Sequence, residues 1–164
     1  LIQLVKAYSI IANGGYNIDP TLIKNKNRNK RQKILNDDVS KKILPILRKI
    51  VSTKNGTASL ANVTGFEVGG KTGTAQKSIN GVYTNKKINS FLSVFPTSKP
   101  KFVMAVMLDE PKISKDYIYH YRDGSNIKYK GTPFNTAGWT AVEVTGQILD
   151  KIGPILATKY SEVY

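Results

Sequence analysis

Between Gly65 and Leu108 the chain carries three β-forming runs joined by connections too short to hold a helix, and this spacing restricts the fold most. The first run is Gly65 to Gln76, and Asn80-Gly81 after it is a hairpin-type turn signal. The second is Ile88 to Phe95, closed by Pro96. The third, Phe102 to Leu108, is almost continuously apolar and lies between Pro100-Lys101 and Asp109-Glu110-Pro111. Parallel neighbours need a crossover of about a dozen residues or more, so these strands are expected to be antiparallel. Helical spacing occupies the flanks. Leu1, Leu4, Val5, Tyr8, Ile11 and Ala12 form one stripe, stopped by Asn13-Gly14-Gly15. It has no start cap and is apolar from residue 1, so the sequence reads as cut from something longer. Ile18 to Ile23 reads as a short extended piece around Pro20. Asn36-Asp37-Asp38 offers a cap and two acids to a second helix, with Val39, Ile43, Ile46, Leu47, Ile50 and Val51 as its stripe. Pro45 is expected to kink or divide that helix, and Asn55-Gly56-Thr57 to end it. After the strands comes a polar, Tyr-rich loop from Lys112 to Pro133. A last helix from Ala137 to Leu156 is expected to bury Val142, Val144, Thr145, Ile148, Leu149 and Ile152. The predicted class is α/β (α+β): an antiparallel sheet flanked by helices, without internal repeats.

Composition removes several functions. A chain of 164 residues with 40% hydrophobic content buries a real core, yet no window approaches the ~18 apolar residues of a membrane span. Without cysteine there is neither disulfide nor thiolate metal site. His120 alone gives little material for a metal cluster or a histidine-based triad, and it reads as a surface loop residue. The net charge of +14 is concentrated between Lys24 and Lys33, which holds six basic residues and no acid. That run has no aromatic residue to stack on a base and no apolar period, so a solvated loop is expected rather than a nucleic-acid site. An anionic polymer or membrane surface is the rival partner for it.

The chemistry-bearing motif lies on the first strand: Gly69-Gly70-Lys71-Thr72-Gly73-Thr74-Ala75-Gln76. Lys71 supplies a fixed positive charge, Thr72 and Thr74 supply hydroxyls, and Gly73 removes a side chain that would hold a substrate off the backbone. A strand edge also offers N–H and C=O groups to an extended peptide. Lys-Thr-Gly is the third motif of the serine penicillin-recognising enzymes. In its context the chain resembles the C-terminal part of the transpeptidase domain of class B penicillin-binding proteins, along nearly its whole length. The opening Leu1 to Gly15 looks like the family's helix after Ser-x-Asn. Asn55-Gly56-Thr57-Ala58, Gly70 to Ala75 and Val106 to Pro111 match as well. Phe91 to Pro96 and the Leu108-Asp109-Glu110-Pro111 ending look most like the cell-division branch.

The resemblance implies a peptidoglycan D,D-transpeptidase that works through a serine acyl-enzyme, binds D-Ala-D-Ala stem peptides and β-lactams, and needs no cofactor or metal. Its parent would be anchored at the periplasmic face of the inner membrane among division partners. Lys71 would sit beside the nucleophile, Thr72 and Thr74 would bind the substrate carboxylate, the Thr74 N–H would be an oxyanion donor, and Gly73 would admit the acyl group. The other two family motifs are not in place. Ser98-Lys99-Pro100-Lys101 and Ser125-Asn126-Ile127-Lys128 follow the Lys-Thr-Gly instead of preceding it, and neither opens a helix. Ser78-Ile79-Asn80 imitates Ser-x-Asn within a hairpin. Residues 1–164 are therefore expected to be a nucleophile-lacking portion of the domain, inert alone. Thr57 and Ser59 are candidates for the cleft wall, Asp109 and Glu110 for strand terminators, and Trp139 for a packing anchor. The rival functions are a serine β-lactamase or D,D-carboxypeptidase relative, and a non-catalytic basic binding module.

Overall fold

The structure, a computed structural model, describes residues 1–23, 32–131 and 134–159; most of the basic run lies outside the described residues. Strands β1 (Gly69–Ile79) and β2 (Val82–Phe95) are joined by Asn80 and Gly81, whose φ angles of 51° and 79° make the two-residue hairpin announced by the sequence. Strand β3 (Phe102–Asp109) pairs with β2 from Phe95↔Phe102 to Ile88↔Asp109. All pairings are antiparallel and the order is β1-β2-β3, so among the described residues β1 and β3 are edges. The strand limits differ from expectation. Gly65 and Glu67 have φ angles of 87° and 43°, so the extended conformation begins only at Gly69. At the other end, pairing continues past Gln76 to Ile79↔Val82, with an irregularity between Gln76 and Ser78. The tight turn zips up these polar arms although they lack an apolar alternation.

Helix α1 (Ile2–Ala12) packs beside β3, β2 and helix α2 (Asp37–Ser52). Its stripe is only half-buried, with Leu1 and Leu4 exposed. No strand forms at 18–23; Tyr16 instead makes an isolated bridge with Lys33. Pro45 does not divide α2, whose run is continuous, with Ser40 buried before the missing N–H and Leu47 and Val51 buried after it. Ile46, expected in the stripe, faces out. A 3₁₀ turn, Ser59–Ala61, leads from α2 toward β1.

The Tyr-rich stretch read as a loop contains a small hairpin of strands β4 (Ile118–His120) and β5 (Lys128–Lys130). The Tyr119 ring is buried there, edge-on to Trp139 at 5.1 Å. A second 3₁₀ turn, Ala137–Trp139, precedes helix α3 (Ala141–Lys159). That helix buries Ala141, Glu143, Gly146 and Gly153 besides the expected Val142, Thr145 and Leu149, while Ile152 is exposed. Val51, Leu60, Val68, Phe91, Val142 and Leu149 belong to one core between sheet and helices. Phe91 is fully buried, a contribution of roughly 1.5–3 kcal/mol. Its ring requires Gly70: a Cβ there would lie 2.6 Å from it and 2.4 Å from the Leu92 carbonyl oxygen. Among the described residues, no helix is long and apolar enough to cross a membrane.

Candidate active site

The approach to β1 is fixed by two anchors. From α2, Arg48 donates to the Val68 carbonyl at 2.7 Å and to Asn62 Oδ1 at 2.9 Å. Burial holds its guanidinium somewhat below the usual arginine value, with the Glu67 charge opposing. Glu67 itself accepts from the Thr97 N–H at 3.0 Å through its carbonyl, and from the Ser98 N–H at 3.2 Å and hydroxyl through its carboxylate. The Ser98 hydroxyl bond, above all, holds that carboxyl below its ordinary value. The motif thus starts from a rigid base.

Along β1 side chains alternate, so Lys71 and Gly73 share one face and Thr72 and Thr74 the other. Lys71 is exposed, and its Nζ reaches only as far as the Thr72 carbonyl, at 3.0 Å. A Cβ on Gly73 would lie 2.7 Å from Ser90 Oγ, so packing from the neighbouring strand also favours glycine here. Thr72 Oγ1 is 3.4 Å from Thr57 Oγ1. Thr74 Oγ1 accepts from the Ala137 N–H at 3.0 Å. A hydroxyl has one hydrogen to donate, and with a main-chain N–H on its oxygen that hydrogen remains for another acceptor. A cleft of about 100 Å³ opens beside this face, lined by Thr57, Ser59, Leu60, Tyr121 and Trp139 among others. The four motif residues lie together on an unpaired edge, bordered by Thr57 as the sequence reading expected. The edge combines a cation, two hydroxyls and free main-chain groups, a set suited to an anionic peptide end.

The competing serines lie elsewhere and are engaged. The Ser98 hydroxyl donates to Glu67, and the Ser125 hydroxyl donates to Asp123 Oδ1 at 2.5 Å in the β4–β5 connection. Ser78 lies near the hairpin end of β1. His120 is exposed on β4, in a strand and not a loop. Asp109 and Glu110 do close β3: both carboxylates reach Lys77 Nζ, at 2.5 and 2.9 Å. Among the described residues, no three His, Cys, Asp or Glu side chains converge as metal ligands would.

Two polar assemblies near the site escaped sequence reasoning. One joins Asn89 of β2 to Asn135 and Thr140 beside Ala137; its only sequence signal was an amide inside the apolar run of Ile88 to Phe95. The other is a closed ion pair. Arg122 and Glu143, with side chains 10% and 4% exposed, meet at 2.9 Å through Nη2 and Oε1 and again through Nη1 and Oε2. Arg122 also donates to the Leu60 and His120 carbonyls, and Tyr117 Oη and Gln147 Nε2 donate to Glu143. Gly146 makes room, since a Cβ there would lie 2.4 Å from the Leu60 carbonyl oxygen. Burial pushes the Tyr117 hydroxyl up to about 12, with the Glu143 charge and hydrogen bond adding to it. For Arg122 burial pulls downward, but the Glu143 bond and charge outweigh it and leave the guanidinium above its usual value.

An antiparallel sheet with Lys-Thr-Gly on its exposed edge strand is the arrangement expected of the serine penicillin-recognising enzymes. Residues 1–127 match the penicillin binding protein transpeptidase domain family, and the chain belongs to it. The probable peptidoglycan D,D-transpeptidase FtsI of Caulobacter vibrioides is 30% identical over 169 aligned positions, covering 96% of this chain and 26% of that protein. The probable peptidoglycan D,D-transpeptidase PenA of Neisseria flavescens is 31% identical over 118 positions, covering 71% of this chain and 29% of that protein. The apo transpeptidase domain of penicillin-binding protein 3 from Burkholderia pseudomallei superposes with a TM-score of 0.70 at 26% identity, over 96% of this chain and 41% of that one. The chain thus spans 26% and 29% of the length of these two curated relatives.

Proposed function

We propose that this chain is the Lys-Thr-Gly-bearing, C-terminal portion of a peptidoglycan D,D-transpeptidase whose nucleophilic serine lies outside residues 1–164. The observation that carries the reading is the exposed edge of β1, where Lys71, Thr72, Gly73 and Thr74 stand together with no strand among the described residues on their outer side. The edge of β3, unpaired among the described residues, and the exposed apolar residues Leu1, Ile2 and Leu4 at the start of α1 support a larger domain around this portion. In the reaction, the serine oxygen attacks the carbonyl carbon of the penultimate D-Ala of a stem peptide. The peptide bond breaks, the terminal D-Ala leaves with the serine's proton, and an ester remains. An amine of a neighbouring strand then attacks the ester, forming the cross-link and returning a proton to serine. β-Lactams acylate the same serine. Lys71 holds positive charge beside that oxygen, Thr72 and Thr74 bind the substrate carboxylate, and the Thr74 N–H stabilises the oxyanion. Gly73 leaves room for the acyl group against the strand. The resemblance of Phe91 to Pro96 and of Leu108 to Pro111 to the cell-division branch implies a role in division at the periplasmic face of the inner membrane, with divisome proteins as partners.

The test is labelling of the protein made from the full open reading frame with a fluorescent penicillin. A covalent label is expected on a serine outside residues 1–164. Lys71→Ala, at an exposed position, is expected to slow acylation by about 10²–10⁴-fold while leaving the melting temperature in place. A label on a serine within residues 1–164, absence of any label, or wild-type acylation of Lys71→Ala would contradict the reading.

A further inference from the structure

We infer that Asn89, a β2 residue outside the motif, is a positioning residue that holds the Thr74 hydroxyl ready to donate to a carboxylate; this rests on the transpeptidase reading. Asn89 is fully buried and is the cross-strand partner of Thr74 in the β1–β2 register. Its Nδ2 donates to Asn135 Oδ1 at 2.9 Å and to Thr140 Oγ1 at 2.9 Å. The direction of both bonds is forced. Asn135 turns its amide nitrogen to the Pro111 carbonyl, donating at 2.7 Å, so its Oδ1 faces Asn89 as an acceptor. Thr140 spends its hydrogen on the Thr136 carbonyl, at 2.9 Å, so its oxygen is left to accept as well. Turning the Asn89 amide over would set an oxygen against two oxygens. The arrangement leaves Asn89 Oδ1 buried with no partner among the described residues. A buried orphan acceptor costs free energy, and here it accompanies a loop pinned at both ends.

That loop carries Ala137. Asn135 and Thr140 flank it, and both are tied to the single Asn89 amide; Lys87 Nζ adds a bond to the Asn135 carbonyl at 3.1 Å. Between them the buried Ala137 N–H reaches Thr74 Oγ1 at 3.0 Å. The N–H occupies a lone pair of that oxygen, so the Thr74 hydrogen is directed to other acceptors, and the open side is the strand edge. Asn89 never reaches the edge itself. It decides whether Thr74 meets a substrate carboxylate as an oriented donor or as a freely turning hydroxyl.

The experiment is a double-mutant cycle on the full-length protein, following acylation by a penicillin and separating half-saturation from the limiting rate. Asn89→Ala and Asn135→Ala are each expected to raise the half-saturating penicillin concentration about tenfold, with a smaller change in the limiting rate. In a Thr74→Val background, which has no hydroxyl to orient, neither change is expected to add more than about twofold. Equal losses in both backgrounds would make Asn89 a plain core residue and overturn the inference, as would no loss in either. Asn135 is only half-buried, so Asn135→Ala decides the matter where Asn89→Ala does not fold. Hydrogen exchange of the Ala137 amide decides it independently of catalysis: protection is expected to fall in Asn135→Ala, and unchanged protection overturns the inference. A wild-type protein that takes no penicillin would refute the transpeptidase reading instead, while the exchange result still judges the Asn89 tie.

Discussion

The edge of β1 and the Arg122–Glu143 assembly use the same chemical vocabulary of cations, hydroxyls and main-chain groups, yet they are finished differently. Around Glu143 both carboxylate oxygens are engaged, by Arg122, Tyr117 and Gln147, and the pair is almost wholly out of water. At the edge, Lys71 reaches no acid among the described residues: its bond goes to the carbonyl of the next residue, and the Thr74 hydroxyl has its oxygen engaged but its hydrogen to spare. That network holds the Tyr-rich hairpin and the first 3₁₀ turn against α3, and both oxygens of its carboxylate are already taken. The edge costs little because water solvates it, and under the proposed function it keeps its donors for a substrate.

That contrast can be broken from the closed side. Glu143→Gln removes the charge facing a buried guanidinium, and a broken buried pair costs about 3–5 kcal/mol. Denaturant unfolding of the full-length protein should show this loss, while the penicillin acylation rate of the folded fraction stays within about twofold of wild type. A large fall in acylation at unchanged stability would mean that the assembly belongs to the site. A smaller effect is expected with pH. The Tyr117 hydroxyl is pushed up to about 12, so the folded state favours its neutral form. Its contribution is fully present below the ordinary tyrosine value of about 10 and is lost as pH rises from there through about 12. Stability measured across that window should therefore fall less steeply in Tyr117→Phe than in wild type. Parallel curves would mean that burial and Glu143 do not hold the Tyr117 hydroxyl neutral in the folded state.

The open edge was legible in the sequence, and the closed assembly was not. Lys71 to Thr74 are contiguous, and Asn80-Gly81 announces the hairpin that carries them, so strand, turn and motif could be read locally. Glu143 and Arg122 are 21 positions apart, and a glutamate in the first turn of a helix reads as a surface residue stabilised by the helix dipole. Its burial follows from Gly146, which lets Arg122 come close, and nothing in the pattern of α3 marks that glycine. The hairpin of β4 and β5 was missed for a related reason: Lys128-Tyr129-Lys130 is short and polar, and it is joined to β4 through pairing and the rings of Tyr119, Tyr129 and Trp139. The stripe of α1 was over-read, since its spacing fixes a helix but not how much of its apolar face is covered.

The central claim, that the outer edge of β1 receives the substrate, is tested most directly by a crystal structure of the full-length protein acylated by a penicillin. The account predicts the penicillin carboxylate within about 2.7–3.2 Å of the Thr72 and Thr74 hydroxyls, with Lys71 beside the acylated serine. A ligand seated elsewhere, with that edge open to water, would contradict it.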